Sequence, residues 1–139
     1  MVDPEAGWQP YAWAAIQVAP RVERDERLNA GVVLYSRPLR FLAARTVFDP
    51  ARLAMLDPAL DLEAVARHLR YLERVAAGDP DAGPIARLPQ PERFGWLTAP
   101  ASTVVQPGPV HAGLCRDPAA ELDHLFRRMV GTDGVEGRG

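Results

Sequence analysis

The sequence predicts a single α+β domain over residues 11–131, an antiparallel sheet of about four strands with helices packed on one face. Three observations carry that expectation. The apolar run Ala30-Gly31-Val32-Val33-Leu34-Tyr35 follows an unbroken string of charged residues and reads as a buried strand. Ser36-Arg37-Pro38 is so short a link that the next apolar segment must return as its antiparallel neighbour. Two later segments, 62–76 and 122–130, repeat apolar residues at helical spacing. A chain of 139 residues, 47% hydrophobic and 24% charged, suffices for one core of its own.

Residues 1–10 read as a flexible lead-in. Segment 11–18 is the first strand, with Tyr11, Trp13, Ile16 and Val18 falling on both faces, and Pro20 ends it. Residues 30–36 and 39–47 form the second and third strands, with Arg40 and Arg45 expected to face water. Asp49-Pro50 supplies a cap and a first-turn proline for a short helix. Asp61 caps a longer one, whose stripe of Leu62, Val65, Leu69, Leu72 and Val75 stops at Gly78. Gln90 or Pro91 opens a short helix carrying Phe94, Trp96 and Leu97. Residues 102–106 are the last strand, broken by Pro107-Gly108-Pro109. Asp117-Pro118 repeats the capped start, and Leu122, Leu125, Phe126, Met129 and Val130 keep the i, i+3, i+4 pattern up to Gly131. The glycine-rich segment 132–139 has little to bury and is expected to be disordered.

Composition removes several kinds of chemistry. A formal charge of −2 leaves no electrostatic footprint for nucleic acid or an anionic membrane. All 16 cationic side chains are arginine. With so much alanine and proline, this reads as the coding bias of a GC-rich genome. The absence of lysine rules out a Walker-type phosphate loop and Schiff-base catalysis. Cys115 is the one cysteine, so no internal disulfide forms, the setting reads as cytoplasmic, and a small buried filler is its expected role. No apolar run reaches bilayer length, and residues 1–9 lack the cationic start of a secretion signal. His68, His111 and His124 are far apart without metal-ligand spacing, and His68 and His124 fall on polar helix sides; neither metal nor cofactor is expected. Ser102 and Thr103 with His111 are the minimum for an activated nucleophile, yet no Gly-x-Ser-x-Gly elbow accompanies them.

A polar constellation remains. Arg21, Arg24, Glu26, Arg27 and Asn29 gather before the central strand, and Gln106 and His111 bracket the Pro-Gly-Pro break after the last one. If those strands are neighbours, the groups meet at one end of the sheet. Guanidinium forks with an amide and an imidazole suit a carboxylate, a phosphate or the acidic patch of a partner. The first reading is therefore a small cytoplasmic binding or accessory module. The alternative is an enzyme on a phosphorylated or nucleic-acid substrate, with His111 as general base and Arg24 or Arg27 stabilising developing charge.

Two blocks also carry a resemblance. Tyr11-Ala-Trp, Val18-Ala-Pro-Arg-Val-Glu-Arg and Glu26-Arg-Leu-Asn-Ala-Gly-Val-Val-Leu form the first, and Arg93-Phe-Gly-Trp-Leu through His111-Ala-Gly-Leu and Asp117-Pro-Ala-Ala-Glu-Leu the second. Together they resemble the bacterial family catalogued as domain of unknown function 3037, from about Tyr11 to Val130. The family brings no established activity. Some relatives are encoded beside HipA-like kinases, so the resemblance implies a protein partner of that kind. The matching positions Arg21, Arg24, Glu26, Asn29, Gln106 and His111 belong to the constellation.

Overall fold

In the computed structural model, which describes residues 7–21 and 24–131, the apolar run becomes the second strand of a five-stranded antiparallel sheet. β1 (Gln9–Val18) pairs with β2 (Leu28–Ser36), and β2 with β3 (Phe41–Thr46). On the other side of β1 lie β4 (Val105–Pro107) and β5 (His111–Cys115). Gln9 and Pro10, read from the sequence as lead-in, belong to β1. The rest of that lead-in up to residue 6, and the tail 132–139, lie outside the described residues.

β5 is the strand the sequence reading lacked. Ile16 faces Pro107 and Trp13 faces His111, so the three residues 108–110 stand against Ala14 and Ala15 alone. Pro107-Gly108-Pro109 ends β4 as expected, but the chain does not leave the sheet there: it bulges past Ala14 and Ala15 and pairs with β1 again as β5, on an edge where missing N–H groups are tolerated. The Gly108 N–H still donates to the Ala15 carbonyl at 2.8 Å.

The helices α1 (Pro50–Leu56), α2 (Leu62–Ala77) and α4 (Pro118–Val130) each begin at an aspartate, Asp49, Asp61 and Asp117. Each carboxylate accepts the N–H three residues on, which satisfies an orphan donor of the first turn. α3 (Gln90–Leu97) starts through Pro91 in its first turn. Helices cover both faces of the sheet, which corrects the one-sided arrangement expected from sequence. Ile16, Val18 and Val33 pack with Leu53 of α1, Val65, Leu69, Leu72 and Val75 of α2, and Leu97 of α3. Tyr11, Val32 and Leu34 pack with Leu122, Leu125, Phe126 and Val130 of α4. Successive β2 side chains point to opposite faces, yet Val32, Val33 and Leu34 are all 0% exposed. An apolar run without alternation is the mark of a strand covered twice.

Both faces are further stitched by arginine. Arg45 is exposed, as expected from sequence, and its guanidinium also lies over the Phe126 ring at 4.5 Å and pairs with Asp123 of α4. Arg93 is 8% exposed and donates from Nη1 to the Val75 and Ala76 carbonyls at 3.0 and 2.8 Å, and from Nε to the Leu88 carbonyl at 2.8 Å.

Candidate functional site

The pairing of β1 with β2 slips by one residue. Ile16 faces Gly31 but Gln17 faces Asn29, so Ala30 has no partner. The slip leaves Ala30 with the core under α2, while Gln17 and Asn29 stand on the α4 side at the end of the sheet. The three side chains there donate in one direction. Arg27 Nη1 reaches Gln17 Oε1 at 3.4 Å, Gln17 Nε2 reaches Asn29 Oδ1 at 3.1 Å, and Asn29 Nδ2 reaches the Met129 carbonyl at 3.0 Å. From α1, Arg52 Nη1 lies 3.5 Å from the Val130 carbonyl. These groups line an open hollow of about 380 Å³ between the sheet end, α1 and the last turn of α4.

Of the residues singled out from sequence, Arg27 and Asn29 line this hollow. Gln106 stands opposite Gln17 on β4, but its Nε2 turns back to the Thr103 carbonyl at 2.8 Å. Arg24 and Glu26 pair with each other at 3.5 Å on the exposed connection, where Asp25 has a positive φ of 53° and pairs with Arg27 at 3.2 Å. Arg21 approaches Asp57 beyond α1 at 4.0 Å. His111 stacks on Trp13, ring centroids 4.6 Å apart. Trp13 is four residues before Gln17 on β1, about 13 Å along the strand. Because Pro-Gly-Pro bulges without turning, the strand carries His111 away from Gln106. The hollow thus gathers part of the constellation and adds two residues that sequence reasoning missed. Gln17 had a signal, being the one amide in an otherwise apolar strand interior. Arg52 had none, since only tertiary packing brings α1 to the end of α4.

The model of a family described as "Protein of unknown function (DUF3037)" matches residues 13–130. The chain belongs to that family. No curated protein and no solved structure matches it. The family match contains every residue of the hollow, from Gln17 to Val130.

Elsewhere, Cys115 is 3% exposed and burial pushes its thiol pKa up, the state of an inert filler and not of a thiolate nucleophile. His68, read from sequence as lying on a polar helix side, is half-buried between two apolar hollows of about 120 and 230 Å³ lined by Val65, Leu72, Trp96 and Val105. Loss of water there lowers its pKa. α3 and the loop after it fold over that side of α2, which the helical pattern of α2 alone does not disclose. Among the described residues no three His, Cys, Asp or Glu side chains gather as a metal set. No described helix is long and apolar enough to cross a membrane.

Proposed function

We propose that the protein is a cytoplasmic binding or accessory module whose hollow at the sheet end holds an oxyanion, a carboxylate or phosphate presented by a protein partner. One observation carries this reading: two guanidinium groups, Arg27 and Arg52, border a solvent-open hollow backed by a fixed row of amides. The amide row spends its own donors internally, which orders Gln17 and Asn29; Arg27 shares its fork with Asp25 at 3.2 Å, and Arg52 keeps the N–H groups not used on the Val130 carbonyl for a ligand. Arginine forks match planar oxyanions in two-point hydrogen bonds. A binding role is favoured over catalysis because His111 lies outside the hollow, stacked on Trp13.

Titration of isotope-labelled protein with acetate, with phosphate and with a short acidic peptide tests this by NMR. The side-chain amide signals of Gln17 and Asn29 are expected to shift with saturation, and Arg27→Ala and Arg52→Ala to weaken that response about tenfold or more each. Unmoved amide signals, or undiminished binding in both variants, would remove the site.

A further inference from the structure

The two edges of the sheet are finished differently. At the β3 edge, the Thr46 N–H and hydroxyl both donate to Glu73 of α2 at 2.7 Å, and Gln90 Nε2 donates to the Arg40 carbonyl at 3.1 Å. A carboxylate occupying an outward N–H closes that edge to another strand. β5 has no such cover. It pairs only with β1, and among the described residues no helix or side chain caps its outer side. Its five residues, His111-Ala112-Gly113-Leu114-Cys115, carry no acidic or arginine side chain. Leu114 is 55% exposed, and Val110 just before the strand is 51% exposed. An uncapped edge of this length, with alternate N–H and C=O groups turned outward, is a template for one more strand.

We infer that the added strand is β5 of a second copy, paired antiparallel about a two-fold axis at Gly113. Self-pairing fits this edge point by point. Leu114 of one copy falls opposite Ala112 of the other, large against small, on the face where Leu114 faces Pro10 and Ala112 faces Ala12. That face continues into a mostly apolar hollow of about 240 Å³ lined by Pro10, Tyr11, Ala12, Tyr35, Arg37 and Pro38, so a second copy lays one such strip beside another. Charge does not oppose the pairing. Each Arg116 follows β5 and lies six residues from its counterpart across the axis, about 20 Å away. A charged peptide would find no counter-charge along β5 itself. The contact uses the first half of β1 and leaves the Arg27–Arg52 hollow at the other end free.

Sedimentation equilibrium of the full chain tests the inference. A monomer–dimer equilibrium is expected, with Leu114→Arg and Ala112→Glu each weakening association about tenfold or more while circular dichroism and Tm stay as in the parent. Mixing the two variants sets the introduced guanidinium of one copy against the introduced carboxylate of the other and is expected to restore a heterodimer. Hydrogen exchange is expected to slow at β5 amides as dimer forms. A parent chain that stays monomeric at every concentration reached would overturn the inference, as would a dimer that both variants leave intact.

Discussion

α2 and α4 end alike and are held unlike. Each stops at a glycine in the left-handed region, Gly78 with φ 74° and Gly131 with φ 72°. Each then offers carbonyls that have no partner within the helix. Behind α2 these are taken by Arg93, a guanidinium buried among them that has no carboxylate within ion-pair reach among the described residues. Behind α4 they are taken by Asn29 and approached by Arg52, at the border of an open hollow. A cation walled in by carbonyls has its donors committed and serves stability. The same chemistry left open to water keeps donors for something else. The difference in enclosure, and not in residue type, is what separates a strut from a candidate site.

That contrast can be broken at its stronger end first. Arg93→Ala removes a donor from three carbonyls, leaving those of Ala76 and Leu88 without one among the described residues while Val75 keeps the Gly78 N–H. It is expected to destabilise the fold by about 3 kcal/mol, lowering Tm by about 10 °C, while leaving oxyanion titration of the hollow unchanged at temperatures where it is folded. Lysine at this position restores only part of the loss, because it lacks the fork. Thermal denaturation of the two variants measures both effects.

The opposite end of α4 offers the next largest effect. Tyr11 donates to Glu121 at 2.6 Å, and Tyr11→Phe is expected to cost about 1.5 kcal/mol. Burial first, and then that hydrogen bond, hold the Tyr11 hydroxyl well above the usual tyrosine range. In the unfolded chain tyrosine releases its proton near pH ~10. Above that pH the unfolded state binds fewer protons than the folded one, so stability falls as pH rises. Urea denaturation between neutral and alkaline pH is expected to show this decline in the parent and a flatter profile in Tyr11→Phe.

Asn29→Ala sharpens the comparison from the other side. It is expected to cost about 1 kcal/mol or less, because water reaches the Met129 carbonyl, yet to weaken oxyanion binding by disordering Gln17. Equal losses of stability at Arg93 and Asn29 would erase the distinction between the two helix ends. The smallest effect belongs to His68, whose pKa burial lowers. The folded state then holds the imidazole neutral below the unfolded value near ~6.5, so stability is lost as pH falls through that range. His68→Gln is expected to remove this acid-side slope without moving the neutral-pH midpoint by more than a few degrees, as read by thermal melts across pH.

The regular elements were legible because their apolar periods are strong. The run at Val32 to Leu34 announced a strand, Asp-Pro openings marked the starts of α1 and α4, and glycine stops marked the ends of α2 and α4. The same run also held the sign that both faces are covered, since a strand open on one side alternates. β5 escaped because Ala112 and Gly113 have weak strand preference and follow two prolines. Arg27 and Asn29 of the candidate site could be placed from the chain's local order, and Gln106, which stays outside the hollow, from its strand. His111 could not, because a bulge and a break look identical in sequence while sending the next residue in different directions. Arg52 reaches the hollow through the fold alone.

The unpaired Ala30 fixes which way the amides look. Side chains along a strand change sides with every step, so one residue added or removed here would be a half-period shift in phase. Gln17 and Asn29 would no longer share a side, and one of them would be driven into the oily layer beneath α2. Surface loops in general absorb added residues, but an insertion of a single residue at this point would silence the hollow without altering any residue that lines it.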